Sequence, residues 1–365
     1  MGGEPTAEQL EQQLRFSAHL PRGGCASPPG YSEITRIRDF LLVIPGSSTD
    51  QGDRDDLVLL PTWEGEPWER HGWTQPEPID LGRGLTLERA DSDLAETILN
   101  ACSPRGHYFV PVRQFGPMYS LVLEVDADDL ERHHWGWDTR EVIQNAVAIS
   151  RLVLDNGYST EYGARVFDYA NGEQQISPAL SRRPAYRVRM TREWLTHDEA
   201  SELKRLLSLF WVARDALPDR VAHALWQGEY ASSVPWLDII APLLVIAFEG
   251  LINTSRQLVT RQFQERVPAL TSEVGAPLSP SLCGKMYDAR SRWVHGNRVP
   301  LYRRPEGKAD GWQGPTDAEQ QAAVERIATT QDSLRAVVRR CIEDEEFRAI
   351  FASETSIRER WPVEV

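Results

Sequence analysis

The sequence has few cysteines, and none of them forms a pair typical of a metal site. Four cysteines occur among the 365 residues, and no Cys-x-x-Cys spacing exists. A zinc ribbon or a thioredoxin-like redox site therefore has no support. The N-terminus, MGGEPTAEQLEQQL, lacks the basic start and the apolar stretch of a signal peptide, so we expect a cytoplasmic protein with reduced thiols.

Long hydrophobic runs and net positive charge are also missing. The longest apolar run, Ile239–Phe248, lies between Asp238 and Glu249 and has about half of the roughly 20 residues that a membrane helix needs. It predicts a buried helix and no membrane partner. The net charge of −14 excludes a protein that coats nucleic acid through bulk charge, although a local basic patch can still bind it.

Several common motifs of catalytic and cofactor sites are absent from the sequence. There is no GxxxxGKS or GxxxxGKT phosphate loop, no HExxH pair and no GxSxG nucleophile turn. His133 and His134 are adjacent, and neighbouring side chains point apart on a helix or a strand, which does not favour a metal site. We therefore predict no metal and no cofactor.

The patterns that the chain does contain change in character near residue 195. Residues 1–195 mix strand and helix patterns, which predicts an α+β N-terminal domain, and its position alone suggests a sensor or regulatory role. Residues 196–365 carry almost no strand pattern and predict an all-helical bundle. Strands are predicted at 32–44, 56–63, 81–89, 108–112, 120–125 and 186–190, and helices at 90–101 and 139–156.

Capping signals and apolar periodicity locate the helices of the second half. Thr196 opens a capping box before the first of them. A long helix is predicted over 235–267, with a kink or a delayed start at Pro242. Another covers 281–295 and ends before Gly296, a natural residue to follow a helix. Further helices are predicted at 218–230 and 316–351.

The most informative segment is YDARSRWVHGNR, at 287–298. Arg290 and His295 lie five residues apart at the end of a predicted helix, and five residues of ideal helix rotate through about 140° net. The two side chains share a face only if the last turn before Gly296 departs from regular helix. The guanidinium is a planar partner for phosphate, and a histidine at a helix C-terminus suits proton exchange near neutral pH.

The surroundings of this segment are basic. Residues 288–308 contain six basic and two acidic side chains, a net charge of +4 in a chain of −14. Trp293 and Tyr302 add aromatic faces on which a base can stack. Taken by themselves, these residues leave open a nucleic-acid site or a solvated helix end with a capping histidine.

The segment MYDARSRWVHG resembles the signature of HEPN (higher eukaryotes and prokaryotes nucleotide-binding) domains, especially their ApeA-like branch. In that signature, arginine and histidine separated by four to six residues end a late helix of a bundle. The upstream segments AFEGLIN and TRQFQERVPAL are similar to the core helix and the following arginine-bearing segment of these domains. The resemblance covers residues 196–350 and implies an HEPN-type helical bundle.

The resemblance implies a metal-independent endoribonuclease in which the ribose 2′-hydroxyl attacks the phosphate and leaves a 2′,3′-cyclic phosphate end. Arg290 would bind the scissile phosphate, and His295 would act as general acid or base. Ser291 would support the site through a hydrogen bond. Glu249 would orient Arg290 or His295, unless it forms an ion pair elsewhere in the bundle. Arg292 points away from Arg290 and would line the RNA groove or form a salt bridge. Asn297 and Arg298 would contact RNA phosphates from the following loop, unless they are simply exposed to solvent.

The resemblance also implies partners. RNA is the substrate, and a homodimer through the helical domain would bring two motifs into one cleft. A phage-derived or other trigger, or an antitoxin, would regulate the enzyme in a prokaryotic defence or toxin system. The alternative is a non-catalytic HEPN module that binds nucleotides, nucleic acid or a protein partner, and the presence of both Arg290 and His295 favours the enzyme.

Overall fold

The fold comes from a computed structural model and consists of an α+β N-terminal part followed by a mostly helical C-terminal half. The described residues are 34–42, 78–89, 118–124, 137–154, 162–180, 195–234, 237–255, 257–296 and 317–363. The predicted strands at 56–63, 108–112 and 186–190 and the predicted helix at 90–101 lie outside them. No helix among the described residues is both long enough and apolar enough to span a membrane.

The N-terminal strands form one six-stranded antiparallel sheet in the order β2-β3-β4-β1-β5-β6. Alternate residues of its strands point to one face, which is apolar and joins the core shared with the helices. The strands are β1 (Ile34–Leu42), β2 (Ile79–Gly82), β3 (Leu85–Arg89), β4 (Met118–Glu124), β5 (Tyr162–Tyr169) and β6 (Gln174–Leu180). Side chains of this face in the core include Ile37, Leu81, Leu85 and Leu87.

Two hairpins of the sheet correct the sequence analysis. The single strand predicted over 81–89 is wrong, because Gly82, Arg83 and Gly84 all have positive φ angles and turn the chain between β2 and β3. The β5–β6 hairpin was not predicted at all. Its turn contains Asn171 and Gly172, with Gly172 at φ +84°, a pairing typical of hairpin turns that the sequence analysis overlooked.

Nine helices lie within the described residues, and α1 joins the sheet to the rest. It packs against α2, α3 and β4, and its inward residues, such as Ile143 and Ile149, are fully buried. The helices are α1 (Trp137–Ser150), α2 (His197–Ala213), α3 (Asp219–Ser233), α4 (Leu237–Ile252), α5 (Val259–Glu273), α6 (Pro280–Val294), α7 (Asp317–Glu343), α8 (Glu345–Ala349) and α9 (Glu354–Arg360).

Two helix ends lie where local capping signals in the sequence predict them. The Thr196 hydroxyl accepts from the Glu199 backbone N–H, and the Glu199 carboxylate accepts from the Thr196 N–H, which confirms the capping box of α2. Helix α6 stops at Val294, and Gly296 adopts φ +72° as predicted.

The long helix predicted over 235–267 is wrong, because the structure divides it into α4 and α5. Pro242 lies inside α4 and neither delays nor ends it. The break falls at Asn253–Leu258 instead, where the Gln262 side chain accepts from the Thr254 N–H and donates to the Gln257 carbonyl. Leu258 precedes α5 in a left-handed conformation, φ +56°.

Helix α4 is the centre of the bundle. Its sequence is apolar on nearly every side, and α3, α5, α6 and α7 all pack against it. The C-terminal end of α4 is fixed by Arg266 of α5, which donates to the Ile252 carbonyl and, at 2.8 Å, to the carbonyl of Trp361. The segment after α9 is therefore joined to the same end of α4 that carries Glu249.

Candidate active site

Arg290 lies on the inward stripe of α6. Residues three, four and seven positions apart share one face of a helix, and the stripe that contains Cys283 and Met286 continues to Arg290. Cys283 and Met286 are buried, whereas the Arg290 side chain is 28% exposed. A guanidinium at the edge of an apolar core needs a counter-ion or bound water.

Glu249 of α4 supplies that counter-ion. Its Oε2 lies 3.3 Å from the Arg290 Nη2, and the carboxylate side chain is only 11% exposed. The structure thus brings together two of the predicted site residues, which lie 41 positions apart in the chain on two different helices. The contact is single rather than the two-pronged pairing that arginine and carboxylate can form.

The pair leaves hydrogen-bonding capacity unused on both sides. Glu249 Oε1 and Arg290 Nε are buried and have no hydrogen-bond partner among the described residues. One helical turn beyond Glu249, the Asn253 side-chain oxygen is also buried without a partner in the described part of the chain. Unsatisfied polar atoms cost stability, roughly 1–3 kcal/mol each, so this cluster is not optimised as a structural ion pair.

Burial changes the acidity of Glu249. Its pKa is raised above the usual glutamate value because desolvation penalises the carboxylate, and the nearby Arg290 charge only partly opposes this effect. A carboxyl group with a raised pKa can accept and release a proton closer to neutral pH than an exposed glutamate.

Aromatic side chains pack against Arg290 and behind it. The Arg290 guanidinium lies 5.9 Å from the centre of the Tyr287 ring, and Tyr287 packs at 5.4 Å on Phe263 of α5. Phe263 in turn meets Phe248, the residue before Glu249, in an edge-to-face contact. This row of rings connects the helices that carry the two charged partners.

Helix α3 approaches the same end of α4. Arg220 donates to the carbonyls of Gly250 and Asn253, at 2.9 and 2.7 Å. The ring of His223 lies against Gly250, so that a methyl group at this position would come within 2.9 Å of the imidazole Cδ2. Sequence analysis missed these residues, although the glycine beside Glu249 in AFEGLIN is a signal for a close approach.

His295 occupies the C-cap of α6. Its backbone departs from helical geometry, and its N–H is directed to the carbonyls of Ser291 and Trp293. The side chain is exposed and makes no hydrogen bond or ion pair with another described residue. The helix therefore ends before Gly296 as predicted, but no hydrogen bond or ion pair joins the His295 side chain to Arg290.

The other predicted site residues have different surroundings. Ser291 is half-buried, and its carbonyl accepts from the His295 N–H at 3.1 Å. Arg292 is exposed and pairs with Asp288 at 2.7 Å along the helix surface. Asn297 and Arg298 lie outside the described residues.

Thiol chemistry does not fit the described part of the chain. Burial raises the pKa of Cys283 to about 12, and burial also raises the pKa of Cys341 far above its usual value. Neither side chain forms a thiolate near neutral pH. Among the described residues no group of three or more histidine, cysteine or acidic side chains is arranged to hold a metal ion.

Comparisons with known proteins add nothing to this geometry. The sequence matches no protein-family model, and neither curated proteins nor solved structures give a significant match.

Proposed function

We propose that this protein is a metal-independent endoribonuclease of the HEPN type. The observation that carries the proposal is the Arg290–Glu249 pair, because it holds a phosphate-binding group at the edge of the core with unused hydrogen-bonding atoms. The exposed His295 follows at the end of the same helix. A guanidinium and an imidazole near one helix end are the groups that transesterification of RNA requires.

Each residue has a distinct role in the proposed reaction. Arg290 binds the scissile phosphate and stabilises the charge that develops on its oxygens. His295 transfers a proton, and the ribose 2′-hydroxyl attacks the phosphorus atom. The products are a 2′,3′-cyclic phosphate and a 5′-hydroxyl. Ser291, Arg292, Asn297 and Arg298 assist by supporting the motif and holding the RNA backbone.

The proposal includes a homodimer through the helical part. Trp293 and Val294, beside His295, are 43% and 49% exposed, and apolar side chains next to the motif suit a symmetric interface. The α+β part would respond to a phage-derived or other trigger, or to an antitoxin, in a cytoplasmic defence or toxin system of a prokaryote.

RNA cleavage by the purified protein in the presence of a chelator tests the proposal. We expect fragments with cyclic-phosphate ends, and a loss of at least about 10²-fold for Arg290→Ala and for His295→Ala. Lys285→Ala is the matched control, because this cation is exposed on the same helix and has no role in the proposed reaction. It should cleave within a few-fold of the unchanged protein.

The non-catalytic alternative makes a different prediction. A binding module would retain RNA or nucleotides without cutting them. Arg290→Ala would weaken this binding, and neither the unchanged protein nor the His295→Ala variant would cleave RNA. Intact RNA with the folded protein, alone and with candidate triggers, would contradict the enzyme. Equal cleavage by the His295→Ala variant and the unchanged protein would contradict the assignment of His295.

A further inference from the structure

RNA cleavage by an internal hydroxyl group moves two protons, and the motif supplies only one ordinary proton carrier. The 2′-hydroxyl must lose a proton as it attacks, and the departing 5′-oxygen must gain one. His295 can serve one of these steps. A second group must serve the other step, on the side of the phosphate from which the 2′-hydroxyl attacks. The proposed dimer offers His295 of the partner subunit for this step, and the chain itself offers Glu249.

Glu249 lies where that second group belongs, if Arg290 binds the phosphate as proposed above. Its carboxylate is within 3.3 Å of the guanidinium, and Arg290 is the more exposed member of the pair. A phosphate held by Arg290 therefore lies close to the carboxylate. The 2′-hydroxyl is attached to the ribose carbon next to the one that carries this phosphate, so it reaches the same place.

One oxygen of the carboxylate is buried and is not satisfied by any described residue. Oε1 has no hydrogen-bond partner among the described residues, whereas Oε2 faces Arg290. A hydroxyl that donates to this carboxylate would satisfy an atom that is otherwise buried without a partner. A purely structural ion pair would gain more from a two-pronged contact, which this geometry does not provide.

The other charged and titratable groups around Glu249 have different contacts in the described part of the chain. Arg290 contacts it from α6, and from α3 Arg220 and His223 meet the adjoining Gly250. On α5, Arg266 donates a hydrogen bond to the Ile252 carbonyl. The charged residues of α7 with described contacts pair elsewhere, Arg339 with Glu202 and Arg340 with Asp344.

We infer that Glu249 is the general base of the proposed ribonuclease and that His295 is its general acid. The proton of the 2′-hydroxyl passes to the Glu249 carboxylate as the new bond between O2′ and phosphorus forms. The bond between phosphorus and O5′ breaks, and the imidazolium of His295 gives its proton to O5′. Exchange with water then returns Glu249 to the carboxylate and His295 to the imidazolium.

This inference rests on the proposed function and is tested with an RNA in which sulfur replaces the 5′-oxygen of one scissile linkage. A thiolate leaves without protonation, because a thiol has a pKa of about 8.5, far below that of an alcohol. The variants are Glu249→Gln, which keeps the shape and an acceptor for Arg290, and His295→Ala. Each is compared on the sulfur substrate and on ordinary RNA.

We expect the two variants to respond differently to the sulfur substrate. His295→Ala should recover to within about tenfold of the unchanged protein, since its step is no longer required. Glu249→Gln should remain at least about 10²-fold slower on both substrates. If Glu249→Gln fails to fold, Glu249→Asp carries the test, with a smaller loss that is equal on the two substrates.

The opposite pattern would overturn the assignment. Recovery of the Glu249 variant on the sulfur substrate would make Glu249 the acid, and unchanged cleavage of ordinary RNA by Glu249→Gln would remove it from the chemistry. A loss caused by His223→Ala but not by Glu249→Gln would transfer the role to His223. If the unchanged protein cuts neither substrate, the proposed ribonuclease itself fails, and the base assignment fails with it.

Discussion

Arg290 occupies a position that the periodicity of α6 assigns to an apolar residue. A hydrophobic side chain there would pack with Cys283 and Met286 and would need no partner. The arginine instead requires Glu249 at a facing position on α4, and the pair that results is held by one contact. Replacing such pairs with apolar residues is often neutral or stabilising, so stability does not explain this one.

The raised pKa of Glu249 leads to a prediction for the pH dependence of cleavage. Because a general base works only when ionised, kcat/KM should fall as the pH drops through this pKa. The pKa is raised by burial, so the fall should begin at a higher pH than for an exposed glutamate. Cleavage rates measured from about pH 4 to 8 would show this acidic limb.

Two variants serve as controls for the pH profile. Arg292→Ala should keep the acidic limb, because its ion pair with Asp288 is exposed and lies on the outer side of α6. Glu249→Gln should lose the limb along with most of the rate. A limb that persists unchanged in Glu249→Gln would contradict the assignment of Glu249 as the titrating group.

The contact between Gly250 and His223 gives a second prediction at this scale. Alanine in a helix interior is more favourable than glycine by about 1 kcal/mol, but a Cβ at residue 250 would lie 2.9 Å from the His223 ring. Gly250→Ala should therefore give little or no gain in the unchanged protein. In a His223→Ala background, the same change should raise the free energy of unfolding by about 1 kcal/mol.

Urea unfolding of the four proteins in this double-mutant cycle measures the coupling. The expected coupling energy between the two positions is at least about 0.5 kcal/mol. Additive effects of the two substitutions would show that the ring moves away without cost.

At the scale of elements, the sequence predicts best where the signal is local. The capping box at Thr196 and the glycine at 296 act through neighbouring backbone atoms, and both are confirmed. The break between α4 and α5 has no proline or glycine. It depends on the Gln262 side chain, which bonds to the connecting backbone, and such tertiary contacts are invisible in apolar periodicity.

The candidate site shows the same division between local and tertiary information. Arg290 and His295 could be found from spacing and resemblance, because the motif is contiguous. The contact of Glu249 with Arg290 joins two helices, and the sequence alone did not decide which of the two motif residues this acid on the core helix would orient. In the sequence, only the glycine at position 250 indicates that His223 and Arg220 of α3 come close to α4.

In the connection before α5, one residue has a strained backbone conformation, and a substitution can relieve this strain. Leu258 adopts φ +56° and is 49% exposed, and a left-handed conformation costs a residue with a Cβ atom about 1–2 kcal/mol. Leu258→Gly should stabilise the protein by about 0.5–1 kcal/mol after the extra freedom of glycine in the unfolded chain is counted. Leu258→Ala keeps the Cβ atom and should give no such gain.

Thermal or urea unfolding distinguishes these two substitutions. A stability gain that is equal for glycine and alanine would mean that the leucine side chain, and not the backbone conformation, is unfavourable at this position.

At the scale of the whole molecule, the sheet and the helices share one apolar core. The inward face of the sheet belongs to the same cluster as the buried residues of α2, α4 and α7. Helix α2 packs directly on β2, and Arg83 of the turn after β2 lies 5.3 Å above the Trp211 ring of α2. The proposed sensor part is therefore in contact with the helices and is not a separate unit joined by a linker.

This shared core predicts that damage to the sheet destabilises the helices. Leu81 is 3% exposed on β2, and Leu81→Ala should lower the free energy of unfolding by about 2–5 kcal/mol. The helical circular dichroism signal should follow this shift as a single transition. Lys204→Ala is the control, since it removes only the exposed ion pair with Asp80 and should leave the transition nearly unchanged.

A second, earlier transition confined to the sheet would contradict one continuous core. In that case the helical signal would keep its original midpoint in the Leu81→Ala protein.

The hydrogen bond from Arg266 to the Trp361 carbonyl cannot form until the ribosome has translated Trp361. Arg266 holds the Ile252 end of α4, but its partner at Trp361 is translated 95 residues after Arg266 itself. The sheet emerges from the ribosome first, but its apolar face has no core to join until the helices follow. The helix end that carries Glu249 gains its last anchor only after the chain has been made through Trp361, so the proposed site would remain incomplete until then.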